Sequence, residues 1–150
     1  MRKGPQGFSL LELVIVLMIA FVLLSVMTQR IGKARSVLAA QSARHTFLSL
    51  HARTRAQAIE FGVTVRLMVD IEGDSAWIAQ GAGTIETYRF APEGVDLQSD
   101  SPDGIVELCI VARGYSEPRC NSMTQPISLA FVTTEASDSV FLTPLGRVTW

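Results

Sequence analysis

Hydrophobic and polar positions divide this chain into three stretches with different periods. From Leu13 to Leu24 every side chain is apolar, and between Phe8 and Met27 only Ser9, Glu12 and Ser25 are not. A helix over those 20 residues spans ~30 Å, the thickness of a bilayer core. No polar stripe breaks the run, which argues against a buried helix of a soluble protein. From Ala43 the pattern changes to a helical one: Ala43, Phe47, Leu50, Thr54, Ala58 and Phe61 recur every three or four residues and define one face of an amphipathic helix. Arg44, His45, His51, Arg53, Arg55 and Gln57 are placed opposite that face. Gly62 follows the last periodic residue as a helix stop. The spacing therefore predicts one helix over 8–61, with Gly32 as a weak point near its middle.

After Gly62 the period shortens to two. "VTVRLMVD" (63–70) alternates and is rich in β-branched residues, and "AWIAQ" (76–80), "TIETYRF" (84–90), "VDLQ" (95–98), "IVELCIVA" (105–112), "ISLAFVTT" (127–134) and "SVFLTP" (139–144) read as further strands, with "RVTW" as a possible last one. "EGDS", "GAG", "APEG", "SDSPDG" and "YSEPRCNSMTQP" read as turns and loops. One long helix followed by about seven short strands predicts an α+β fold, in which the helix's second half packs on an antiparallel sheet or small sandwich.

The charge pattern does not orient the apolar segment. Arg2 and Lys3 precede it, while Arg30, Lys33 and Arg35 follow it. A cleaved secretory signal would need a small-x-small site after the run, and "LLSVMTQRIG" offers none. A carboxylate at Glu12 would also be unfavourable inside such a signal.

The stretch "GFSLLEL" resembles the prepilin cleavage site of type IV pilins and type II secretion pseudopilins. Gly7, Phe8, Ser9, Leu10, Leu11, Glu12 and Leu13 fill every slot of that pattern, behind a short basic leader and ahead of an apolar run. The resemblance implies cleavage between Gly7 and Phe8 by a prepilin peptidase and N-methylation of the new Phe8 amine. It also implies a leader over 1–7, a membrane-spanning half of the helix over 8–28, an amphipathic periplasmic half over 29–61 and a β-rich domain over 62–150. The leader would be cytoplasmic and the C-terminal domain periplasmic, on a single-pass anchor in the bacterial inner membrane. "LAAQSARHTFLSLHARTRAQAIEFGVTVRLMV" and "VFLTPLGRVTW" further resemble GspH/FimT-type minor pseudopilins, with Ala52, Arg53, Ala56 and Ala58 approximating that family's "ARxxA" segment. Residues 70–126 carry no such motif. The implied architecture is pilin-like, and the implied partners are other major and minor pseudopilins, the prepilin peptidase and the inner-membrane assembly platform.

Glu12 acquires a role in this frame. An uncompensated acid in an apolar helix costs ~3 kcal/mol on insertion scales, so a cation is expected beside it. Cleavage at Gly7 creates one, the Phe8 ammonium. It can belong to the same chain or to a neighbouring subunit, and the resemblance implies the neighbour, in an assembly ion pair that fixes axial stagger.

The remaining candidates are less specific. Cys109 and Cys120 can close a small loop if exported, and are two thiols otherwise. Arg44, Arg53, Arg55 and Arg147 are possible subunit or nucleic-acid contacts, with a solvated helix face as the plainer reading. Nucleic acid is disfavoured: Arg147 has no basic residue after it, and removing Arg2 and Lys3 leaves 11 basic against 14 acidic residues. "DIEGDS" places Asp70, Glu72 and Asp74 as in a calcium loop, but Gly81 stands where the closing Glu is needed. A hairpin turn is the better reading, and no metal or other cofactor is expected. With two histidines on one helix and no nucleotide-binding glycine loop, the chain does not read as an enzyme. The expected function is that of a minor pseudopilin of a type II secretion system, supporting protein export. The alternatives are a FimT-like minor pilin of a type IV pilus, acting in pilus priming or DNA uptake, and a membrane-tethered periplasmic binding domain.

Overall fold

The computed structural model describes residues 9–150, with the side chains of residues 26–31 outside that description. The chain divides into two compact units, Met1–Arg35 and Ser36–Trp150. A single helix, α1 (Leu10–Phe61), contributes to both and runs through Gly32 without interruption. At its start the Ser9 carbonyl accepts hydrogen bonds from the Glu12 and Leu13 amides (3.0 and 3.2 Å). At its end Gly62 adopts the left-handed conformation (φ 65°) that closes a helix.

Within the second unit, the buried face of α1 is Ala40, Ala43, Phe47, Leu50, Thr54 and Ala58. Thr54 is fully buried, and its hydroxyl donates to the Leu50 carbonyl (2.8 Å), so no polar atom there is left without a partner. Phe61 departs from the expected stripe and is 61 % exposed. The buried stripe starts one turn earlier, at Ala40, and ends at Ala58, about one turn before the helix stops at Gly62.

Eight strands follow: β1 (Val65–Asp70), β2 (Ser75–Gln80), β3 (Gly83–Arg89), β4 (Asp96–Ser99), β5 (Ile105–Ile110), β6 (Ile127–Val132), β7 (Ser137–Leu142) and β8 (Val148–Thr149). They form two four-stranded antiparallel sheets, in the orders β3-β2-β1-β5 and β4-β6-β7-β8. Burial alternates along β1 and β6, so each sheet turns one face inward. Leu67, Ile78 and Leu108 from the first sheet, Leu129, Phe131 and Leu142 from the second, and Phe47 and Leu50 of α1 share one core. Phe131 lies at its centre, with ring centroids 5.9 Å from Phe47 and 5.6 Å from Phe90. The architecture is α+β, a long N-terminal helix followed by two antiparallel sheets.

Two elements differ from their expected positions for local reasons. Phe90 leaves β3 and enters the core at the start of a short 3-10 turn, Ala91–Glu93, that Gly94 ends in the left-handed conformation. The strand expected over 139–144 is shifted to Ser137–Leu142. Thr133 closes a tight turn there, its amide donating to the Ala136 carbonyl (2.8 Å) and its hydroxyl accepting from the Ala136 amide (3.1 Å). β7 therefore begins at once with polar residues.

Phe131→Ala removes the ring that touches both Phe47 and Phe90. It is expected to lower the unfolding free energy by about 3–5 kcal/mol, measured by urea titration of Trp77 fluorescence; a loss below ~1 kcal/mol would show that the aromatic contact is not central to the core.

Candidate assembly site and the polar flanks of the helix

The first unit is defined by what α1 presents to its surroundings. Leu10, Leu11, Leu13, Leu17, Phe21 and Leu24 are all more than half exposed, and no side of the helix from Leu10 to Leu24 carries a polar residue except Glu12. Such a surface is stable only when something apolar covers it all round. Among the described residues no helix is long and apolar enough to cross a membrane. The described side chains of this run end at Ser25, so the span expected over 8–28 lies partly outside the description. Glu12 occupies the first helical turn, where the helix dipole favours a carboxylate. It makes no ion pair among the described residues. Gly7 and Phe8, the expected cleavage site and amine, lie outside the described residues.

In the second unit, the basic residues of α1 do not form the single solvated face expected for them. Spacings of seven and eleven residues put Arg44, His51 and Arg55 on one flank, whereas His45 and Arg53 fall on the other. Arg44 is largely buried and pairs with Asp138 of β7 (3.2 Å). His51 donates from Nε2 to the Gly146 carbonyl (3.1 Å). Arg53 forks onto both carboxylate oxygens of Glu86 on β3 (2.8 and 3.1 Å). Arg55 and Arg147 are exposed and have no ion pair among the described residues.

The flank facing β3 forms an open groove of about 370 Å³ lined by Ser42, His45, Thr46, Ser49, Arg53, Glu86 and Tyr88. The Tyr88 hydroxyl donates to Glu93. Burial, then that hydrogen bond and the Glu93 charge, raise the phenol above its ordinary pKa. The opposite flank carries a polar node. The disulfide Cys109–Cys120 (Cα–Cα 5.7 Å) closes a loop whose neighbour Asn121 makes three hydrogen bonds. Its carbonyl oxygen accepts from the Cys109 amide (2.8 Å) and the Ser116 hydroxyl (2.9 Å), and its amide donates to the Pro144 carbonyl (2.6 Å). The Ser116 amide reaches the Leu145 carbonyl (3.2 Å). Gly146, at φ 77°, packs so closely on Ser116 that a Cβ would lie 2.9 Å from that side chain. Disulfide loop, β7–β8 hairpin and helix are thus joined through Ser116, Asn121, Gly146 and His51. Sequence reasoning named His51 but missed the other three; the one local signal was the glycine of "PLGR".

Two of the three acids of "DIEGDS" act as turn and strand anchors. Asp70 accepts from the Gly73 amide (2.9 Å), and Asp74 accepts from the Leu97 amide (2.6 Å).

A family model described as "Prokaryotic N-terminal methylation motif" matches residues 2–28. Solved structures similar to this chain include the type IV minor pilin FimU of Pseudomonas aeruginosa. That match has 14 % identity over 73 % of this chain and 86 % of FimU, with a TM-score of 0.56. The minor pseudopilin EpsH of the Type 2 Secretion System of Vibrio cholerae matches at 13 % identity over 73 % of this chain and 94 % of EpsH, with a TM-score of 0.52. The chain carries a prepilin-type methylation motif on a pilin-like fold. The fold is shared with the minor pilin FimU and the minor pseudopilin EpsH. No curated protein matches the sequence.

His51 supplies a pH test of the node. Burial lowers its pKa, the Gly146 bond opposes this, and Arg55 lowers it further. A depressed histidine pKa means that the unfolded chain binds the proton more readily, so the stabilisation is complete above ~6.5 and is lost as pH falls through the folded value. Stability is therefore expected to drop between pH 7 and 5 by more in the native chain than in His51→Gln, measured by thermal unfolding across that range. Equal slopes would remove His51 from the account. Reduction of Cys109–Cys120 is expected to cost about 2–3 kcal/mol, read as a fall in urea midpoint with dithiothreitol.

Proposed function

We propose that this chain is a minor pseudopilin of a type II secretion system. In this reading its helix joins a periplasmic pseudopilus, and its two-sheet domain stands on the fibre surface among other pseudopilins. The carrying observation is the placement of Glu12, five residues after Gly7, in the first turn of a helix and directly ahead of the apolar run Leu13–Leu24, on a chain with a pilin-like domain. The prepilin peptidase cuts between Gly7 and Phe8 and the Phe8 amine is methylated. Glu12 then receives the ammonium of a neighbouring subunit. In hydrocarbon such a pair is favourable only in register, because an unpaired carboxylate there costs ~3 kcal/mol, and this makes it a gauge of axial position. The domain is periplasmic and the anchor lies in the inner membrane, with the assembly platform as its binding partner.

A second reading, a minor pilin of a type IV pilus, is favoured by the likeness to FimU. Sparse basic charge at the C-terminus and a net acidic processed chain speak against DNA uptake as its task.

Mass spectrometry of the processed N-terminus is expected to find N-methylated Phe8; an uncut chain would sink both readings. Glu12→Leu is expected to insert and be cleaved normally but to enter fibres at least tenfold less, a difference of ~1.4 kcal/mol, scored by immunoblot of sheared fibres. Normal incorporation would refute the pairing role. Loss of protein export, with surface pili intact, on deletion of the gene separates secretion from pilus membership.

A further inference from the structure

Each sheet has two edge strands, β3 and β5 in the first and β4 and β8 in the second. An edge leaves backbone donors and acceptors unpaired unless something covers it. The disulfide loop covers β5. Asn121 Oδ1 and the Ser122 hydroxyl accept from the Cys109 and Glu107 amides (2.8 Å each), and the Glu117 and Ser122 amides donate to the Cys109 and Glu107 carbonyls (3.0 and 3.1 Å). β4 has four residues, and Asp74 takes its Leu97 amide. β8 has two residues. β3 has seven residues and no such cover. Because Glu107 and Cys109 turn their backbone groups away from β1, the alternation of antiparallel ladders fixes the phase through β1 and β2 to β3. Glu86 and Tyr88 turn their backbone groups to β2, in phase with the Phe90 amide, which donates to the Asp74 carbonyl (2.8 Å). The amides and carbonyls of Thr87 and Arg89 therefore point away from the sheet, and no hydrogen bond meets them among the described residues. Ile85 is the extra residue of a bulge, unmatched on β2, so the regular part of this edge is 86–89.

The groove between α1 and β3 lies beside the same edge, with Glu86 and Tyr88 on one wall and Ser42, His45, Thr46 and Ser49 on the other. A strand laid ~4.8 Å outside β3 would pair with Thr87 and Arg89 and roof this groove. We propose that the β3 edge receives an extended segment of a neighbouring, non-identical pseudopilin, which adds a fifth strand to the four-stranded sheet. The proposal rests on the assembly reading above. Arg53 is already paired with Glu86, and the Tyr88 hydroxyl with Glu93. The groove therefore offers hydroxyls and His45 rather than free charge, and it suits a strand whose side chains toward α1 are small or hydroxyl-bearing. Arg89 is exposed, without an ion pair among the described residues, and favours a carboxylate opposite it on the added strand. The outward positions of β3 itself, Thr87 and Arg89, include no acid, so a second copy pairing β3 to β3 lacks that complement. An edge this short binds weakly between free molecules. It gains from a partner that fibre packing already holds nearby, which favours a fibre neighbour over a passing exported protein.

The test places the photo-crosslinker p-benzoylphenylalanine at Ile85, half-exposed beside the edge, in the full chain expressed with the other pseudopilins of its own host. Sheared fibres are irradiated, and the joined peptides are sequenced by mass spectrometry. The expected product joins position 85 to one segment of a different pseudopilin, a segment that carries an acid. Thr87→Pro removes an outward amide and leaves the bonds to β2 in place, and Arg89→Glu reverses the charge that the acid meets. Each is expected to lower the cross-link yield about fivefold or more, as loss of one backbone bond or charge pair implies, while thermal unfolding of the domain stays unchanged. Should Thr87→Pro fail to fold, Arg89→Glu decides alone. Cross-links only to a second copy, only to an exported protein, or none at all overturn the contact, and so does a yield that neither substitution lowers. A chain with methylated Phe8 that enters fibres without cross-links refutes this contact alone and leaves the assembly reading standing. An uncut chain overturns both.

Discussion

The contact of Phe131 with Phe47 and Phe90 is where the helix and the two sheets of the second unit meet. Six positions of α1, from Ala40 to Ala58, leave water together, and residues of both sheets share the core with them. The aromatic geometry is worth ~0.5–1.5 kcal/mol per pair beyond the area buried. More important is that it fixes where each layer sits. With Phe131 under Phe47, the β6 register brings Val140 of β7 opposite Leu129, and Asp138 comes within reach of Arg44.

What could be read from the sequence followed how local the signal was. The helix was legible because its apolar stripe repeats every three or four residues. Most strands were legible because β-branched residues alternate between turn residues. β7 was shifted because Ser137, Asp138 and Ser139 do not look like a strand; their pairing with Val132, Phe131 and Ala130 makes them one. Arg44 was placed in solvent because its partner, Asp138, is nearly a hundred residues away. Glu12 could be singled out because its signal, a lone acid in an apolar run, is contained in a few residues.

The node around Asn121 marks the opposite limit. Asn121 satisfies the Cys109 amide, the Ser116 hydroxyl and the Pro144 carbonyl with one side chain. Nothing in "RCNSM" distinguishes it from an ordinary loop asparagine. Its importance comes from geometry: the disulfide brings it beside β5, and the hairpin after β7 offers the Pro144 carbonyl to its amide. Polar networks of this kind are specified by the whole fold, so sequence windows do not reveal them.

The bonds between α1 and the end of the chain also have a kinetic side. His51 meets Gly146 across 95 residues, and Ser36 meets Thr134 across 98. The core residues Phe131, Val140 and Leu142 belong to the last strands made. Contacts this distant in sequence require the closure entropy before they return any stability. During synthesis, the part of the stripe around Phe47 therefore lacks its Phe131 cover until β6 has emerged. A chain that stops before β6 lacks Phe131, Val140 and Leu142, and the stripe of α1 is then covered by the first sheet alone.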